Sequence, residues 1–188
     1  MSAARPADRE FDLTYKLYPG GVCSGYLDSI QIGETMECFG RGSKERVAGS
    51  HVGIIAYGVG ITEAFPVTAA ELSKPDAKAV TLLWASKRYA DKFWLNSIEE
   101  LEATYPDRFT FKTILSREER EGSLRGRINK DTLQSVFLDE WGTDNDKEDV
   151  RWLSVGTKPM MADCYSHLRE LGFDASKDGG KNALFQKA

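Results

Sequence analysis

Cysteine is scarce in this chain, and its three residues, Cys23, Cys38 and Cys164, stand far apart without Cys-x-x-Cys spacing. An odd, dispersed set argues against a disulfide framework and supplies no ligand cluster for a structural metal. Histidine is scarcer still: His51 and His167 are isolated in sequence, and neither is expected to carry acid–base chemistry. There is no excess of positive charge. Lysine and arginine number 25 against 29 acidic residues, a net charge of −4, so no basic field draws nucleic acid or an anionic membrane surface. No apolar run approaches the roughly 18–20 residues needed to span a bilayer. The opening MSAARPADRE lacks the apolar stretch of a secretory signal, and its acidic residues argue against an organelle transit peptide. The expected setting is a reducing, cytoplasm-like compartment.

What is present is enough apolar material for a core: 41% of 188 residues are hydrophobic, which fits one domain, or one domain with a partial second. Residues 11–18, FDLTYKLY, alternate apolar and polar in the manner of a strand. Pro19-Gly20-Gly21 breaks that run, a short helix is expected from about Cys23 to Ile30, and Ile32-Gly33-Glu34 turns into a second strand over 34–40. Two strands and a turn of helix hold no core of their own. From residue 51 the rhythm changes to short apolar runs, HVGIIAYG, VTLLWASK, FTFKTILS and VRWLSVG, alternating with amphipathic helices; NALFQ is a candidate last strand. Pro66 must kink the first of these helices or sit in its first turns. EREGSLRGR and DEWGTDNDKED read as charged surface loops. The expected fold is α/β, a parallel doubly wound sheet of about five strands with helices on both faces. The boundary falls near Ser43–Ser50, giving segments 1–50 and 51–188.

Three segments offer chemistry. Gly58 and Gly60, followed by Ile61 and Thr62, stand between a strand and a helix, where backbone can approach a pyrophosphate and a helix amino end favours anions. Gly156, Thr157, Lys158, Pro159 and Met160 stand at a second strand end, with proline where a first-turn proline belongs. Gly20, Gly21, Val22, Cys23 and Ser24 precede the short helix, where amides and the Ser24 hydroxyl suit a phosphate. The plainer alternatives are packing for the first, a turn for the second and a serine helix cap for the third.

In order and spacing the three segments resemble the ferredoxin reductase superfamily, and within it cytochrome b5 reductase and the related part of nitrate reductase. PGGVCSGYL is similar to that family's flavin phosphate loop, and Ile32-Gly33-Glu34 to the strand start after it. GIIAYGVGIT is similar to the pyridine-nucleotide loop, VTLLWASKRYADKFW to the second strand and its loop, and LSVGTKPMM to the motif beside the nicotinamide. The resemblance implies hydride transfer from NADH or NADPH to FAD and onward electron transfer to a haem or iron–sulfur acceptor protein. It assigns Gly58, Gly60, Ile61, Thr62, Gly156 and Pro159 to the pyridine-nucleotide crevice, and Gly21, Cys23 and Ser24 to FAD phosphates. It also sets Ser86, Lys87 and Arg88 beside the 2′-phosphate that distinguishes NADPH, with a solvated charged loop as the alternative, and likens Phe185 to the aromatic that covers the flavin in some members.

The departures are specific. No Arg-x-Tyr-Ser/Thr flavin motif precedes the phosphate loop, so the flavin-binding barrel is expected only in part. Tyr57, Val59 and Glu63 replace Gly, Thr and Pro of the nucleotide loop. Val155 replaces the cysteine beside the nicotinamide, and Thr157 and Lys158 replace prolines, with Lys158 able to pair with phosphate. These replacements open an alternative function, a non-catalytic nucleotide-binding or interaction domain derived from such a reductase. Trp84, Phe93, Trp94 and Trp152 are expected in the core.

Overall fold

The computed structural model describes residues 3–5, 10–38, 49–142, 147–175 and 183–185. The chain divides into two compact units, Met1–Arg46 and Val47–Ala188.

In the first unit, strand β1 (Ala3–Arg5) pairs antiparallel with β2 (Glu10–Asp12), and helix α1 spans Val22–Ser29. The strand expected over 11–18 therefore forms only at its start, and residues 34–38 form no strand, while 39 and 40 lie outside the described residues. Alternation makes a strand only where one face has something to cover it. Here Phe11, Leu13, Tyr15 and Leu17 are 48%, 41%, 38% and 52% exposed, so no buried face holds the register.

The second unit carries the sheet. Its strands are β3 (His51–Tyr57), β4 (Ala79–Ser86), β5 (Phe109–Leu115), β6 (Leu124–Arg125), β7 (Val150–Val155) and β8 (Ala183–Phe185). All pair in parallel, in the order β6-β5-β4-β3-β7-β8. The sixth strand is β6, two residues within the segment expected to be an exposed loop. The helices are α2 (Ile61–Leu72), α3 (Leu95–Thr104), α4 (Lys130–Leu133), α5 (Asp139–Trp141) and α6 (Lys158–Glu170); a π turn over Gln134–Leu138 joins α4 to α5. Part of the expected acidic loop is thus helical, and residues 143–146 lie outside the description. Pro66 lies inside α2, in its second turn.

Side chains alternate between the two sheet faces, and each face has its own core. Val52, Ile54, Ala56, Leu153 and Val155 meet Ile61, Ala64 and Leu72 of α2 and Ile98 of α3. Ile55, Val150 and Trp152 meet Leu133, Phe137, Met161, Cys164, Tyr165 and Leu168. Gly53 is required by this packing, because a Cβ there would stand 2.3 Å from the Trp152 ring. Phe137, Trp141 and Phe173 surround that ring at centroid distances of 4.9, 5.7 and 5.3 Å.

Charged groups tie the amino ends of the strands. Arg151 of β7 and Glu71 of α2, both buried, form an ion pair, and Lys74 reaches the same carboxylate at 2.8 Å. Arg108 donates to the Leu72 and Ala77 carbonyls at 3.0 and 3.2 Å, closing the end of α2. Asp149 accepts from the Ser50 N–H and hydroxyl at 2.9 and 2.5 Å and from Lys78 at 3.1 Å, with His51 Nδ1 3.3 Å away. Burial alone would raise the Asp149 carboxyl, but the Ser50 and Lys78 hydrogen bonds outweigh it and hold the pKa at about 2. Among the described residues no helix is long and apolar enough to cross a membrane.

Two outcomes follow for stability. Glu71→Ala leaves a buried guanidinium without its carboxylate and is expected to lower the unfolding free energy by about 3–5 kcal/mol in urea denaturation. Lys74→Ala, at the exposed end of the network, should cost no more than about 1 kcal/mol. The Asp149 carboxyl is depressed in the folded state, so its contribution is present above the ordinary aspartate value and is lost as pH falls through the folded value. Melting temperatures of the wild type and Asp149→Asn, measured from pH 6 downward, should differ most above pH 4 and converge as the pH reaches about 2.

Candidate functional site

The chain leaves β3 for β4, β5 and β6 on one side and returns to β7 and β8 on the other. Strand order therefore reverses between β3 and β7, which are hydrogen-bonded neighbours. In open α/β sheets a crevice forms at such a point, outside the carboxyl ends of the strands. Two strand-to-helix junctions meet there. Gly58–Gly60 forms a 3-10 turn leading into α2, and Gly156 and Thr157 lead from β7 into α6.

Each glycine at the meeting point has its own reason. A Cβ on Gly60 would stand 2.5 Å from the Val155 carbonyl oxygen, so glycine lets the two junctions touch. A Cβ on Gly156 would stand 2.8 Å from the Tyr57 ring. Gly58 is exposed at φ +54°, with nothing within 4 Å of a Cβ, so space is open above its backbone. Ile61 is fully buried and anchors the first turn of α2, and the Thr62 hydroxyl donates to the Val59 carbonyl at 3.0 Å.

Tyr57 packs with the core beneath α6, its ring against Gly156 and its hydroxyl near the Cys164 thiol. Burial pushes its phenol well above the ordinary range, and the Cys164 thiol up to about 11. Neither is a nucleophile at neutral pH. Val155, at the position expected beside a nicotinamide, is fully buried and packs where Gly60 crosses it. Glu63, half-buried in the first turn of α2, has its carboxyl pKa raised by burial. Thr157, Lys158, Pro159 and Met160 are exposed at the amino end of α6, whose second residue is the proline. The first amides of α6 have no acceptor within the helix and can meet an anion, whereas the Ile61 N–H that opens α2 donates to the Gly58 and Val59 carbonyls.

Strand β4 ends at Ser86, half-buried, and the loop after it opens with Lys87 and Arg88, both exposed. The segment after β5 runs beside it: Arg117 N–H donates to the Lys87 carbonyl at 3.0 Å, and the Arg120 guanidinium lies 3.6 Å from the Tyr89 ring centroid. Asp91 and Glu118 accept from the Arg88 and Tyr89 amides at 3.0 and 3.3 Å. Sequence reading missed Arg117 and Arg120, which lie about thirty residues from Lys87 and join it only through strand pairing. It also missed the surroundings of Trp84. The Trp84 indole donates to the Gly58 carbonyl at 2.8 Å, and Lys92 places its Nζ 4.0 Å from the Trp84 ring centroid and 3.1 Å from the Trp84 carbonyl. Burial lowers the Lys92 amine to about 7, with Asp91 opposing the shift.

In the first unit, Gly20 turns at φ +71° and Gly21 is the residue before α1, so glycine, not Ser24, stands at the cap. The Ser24 hydroxyl accepts from the Tyr18 N–H at 3.2 Å and lies 2.6 Å from where a Gly21 Cβ would be. Val22 and Cys23 are exposed in the first turn. The role expected of the Phe185 side chain lies outside the described residues. Among the described residues no group of three or more His, Cys, Asp or Glu could hold a metal ion.

Residues 54–166 match a family model described as an oxidoreductase NAD-binding domain. The chain is 27% identical over 175 residues to NADH-cytochrome b5 reductase 1 of Mycosarcoma maydis, covering 91% of this chain and 52% of that protein. It is 30% identical over 178 residues to NADH-cytochrome b5 reductase 1 of Candida glabrata, covering 91% of this chain and 60% of that protein. The chain thus spans between half and three fifths of the length of these curated relatives. Among solved structures, a ferredoxin NADP+ reductase from Neisseria gonorrhoeae with bound FAD and NADP superposes with a TM-score of 0.66 at 19% identity, covering 91% of this chain and 71% of that one.

The glycines allow a test of the junction. Gly60→Ala drives a methyl into the Val155 carbonyl and should cost about 1–3 kcal/mol in urea denaturation. Gly58→Ala meets open space, and its cost should stay near the roughly 1 kcal/mol of left-handed backbone strain.

Proposed function

This chain belongs to the oxidoreductase NAD-binding domain family, within the ferredoxin reductase and cytochrome b5 reductase superfamily, and from that premise we propose that it binds NADH or NADPH in an electron-transfer flavoprotein. The observation that carries this reading is the open backbone at Gly58 between two helix amino ends, where the strand order reverses. Tyr57, which could have obstructed the crevice, is turned beneath α6 instead. Gly58, Gly60, Ile61 and Thr62 would line the pyrophosphate side, with Gly156, Thr157, Pro159 and Met160 opposite and Lys158 offering a cation to phosphate. When bound together, reduced nicotinamide and FAD supply hydride chemistry, with electrons leaving to a haem or iron–sulfur protein. On this reading residues 1–50 are the flavin-side segment and 51–188 the nucleotide domain. Gly20, Gly21, Val22, Cys23 and Ser24 would meet FAD phosphates, supported by the first-turn amides of α1. The exposed thiols of Cys23 and Cys38 suit a reducing, cytoplasm-like compartment.

Ser86, Lys87 and Arg88 would face the adenosine ribose, and the two cations add grip on a 2′-phosphate because Asp91 and Glu118 are engaged by backbone amides. A second reading, nucleotide binding without turnover, is favoured by buried Val155 at the family's cysteine position.

Calorimetric titration with NADH and NADPH, then with FAD, tests these statements. Saturable binding of either coenzyme is expected, and Arg88→Glu should weaken NADPH about tenfold while leaving NADH within about twofold. No binding of either coenzyme would overturn the reading. Bleaching of bound flavin by NADH or NADPH separates the reductase from the non-catalytic domain.

A further inference from the structure

Gly58 stands where its backbone could turn either way at little cost, because glycine accepts both signs of φ. The peptide joining it to Val59 is trans, so its C=O and N–H point in opposite directions. That carbonyl is fixed by two donors, the Ile61 N–H and the indole N–H of Trp84 at 2.8 Å. Trp84 is fully buried on β4, so the Val59 N–H of the same peptide points away from the core. With the plane reversed, the loop would show an anion a carbonyl oxygen instead of a donor.

The indole is itself held. Lys92 lies over its ring at 4.0 Å and donates to the Trp84 carbonyl at 3.1 Å, while Phe93 meets the ring edge-on at 5.6 Å. Phenylalanine would keep an aromatic ring in the core, a smaller one, without supplying the N–H.

We propose that Trp84, seated by Lys92, is a positioning residue that turns the Val59 amide outward to grip a dinucleotide phosphate. The inference rests on the nucleotide-binding reading above. It adds a residue that lies in the core, outside the glycine loop, and acts through the Gly58 peptide.

The test uses the full chain and two probes, NADH and ADP-ribose, the second carrying the pyrophosphate without the nicotinamide. Trp84→Phe should raise the Kd of both about tenfold, the scale of one lost hydrogen bond, while the melting temperature moves by only a few degrees. Lys92→Met keeps the indole N–H and should raise both Kd values about threefold. In the 1H–15N spectrum of the wild type, the Val59 amide and the indole signal missing from Trp84→Phe should both shift on adding ADP-ribose. If the wild type binds both probes and Trp84→Phe binds them as tightly, the positioning role is overturned and nucleotide binding stands. If the wild type binds neither, both fall. Should Trp84→Phe fail to fold, a Val59 amide that does not move when ADP-ribose saturates the wild type overturns the proposal by itself.

Discussion

The architecture turns on one close approach, the passage of Gly60 against the Val155 carbonyl. Strands β3 and β7 pair side by side although their helices leave on opposite faces, so the first turn of α2 must cross the end of β7 at backbone distance. Any side chain at residue 60 would push the junctions apart. With glycine there, Ile61 reaches full burial, α2 settles across β3, β4 and β7, and two helix amino ends open at the same end of the strands. Tyr57 and Gly156 repeat the arrangement on the other face, where a missing Cβ admits a ring.

Stability and site chemistry occupy opposite ends of the strands. The buried Arg151–Glu71 pair, the Arg108 contacts and the Asp149 cluster all gather at the amino ends. The carboxyl ends carry glycines, exposed cations and the first amides of α6, whose acceptors lie outside the helix. A partly satisfied polar rim on a well-tied base is how a rigid scaffold presents a binding edge.

Much of this was legible in the sequence because it rests on local pattern. The apolar runs of β3, β4, β5 and β7 lie where their hydrophobicity placed them, and the glycines at 58, 60 and 156 mark strand ends. The failures share a cause. Residues 11–18 have the alternation of a strand, but Phe11, Leu13, Tyr15 and Leu17 are exposed and pairing stops at Asp12. Gly21 rather than Ser24 precedes α1, because the serine hydroxyl is spent on Tyr18. The link from Trp84 to Gly58 joins residues that share no motif, and an indole in an apolar run reads as core. It is core as well, which is why composition hides its second bond.

The burial of Cys164 divides the thiols of this chain into two populations. Cys23 and Cys38 face solvent, whereas Cys164 lies under α6 beside the Tyr57 hydroxyl, with its proton held tightly. An alkylating reagent therefore meets two sulfurs on the native surface and reaches the third only when α6 lifts from the sheet. The chain carries its own internal clock for that opening, wired to the helix whose amino end borders the crevice.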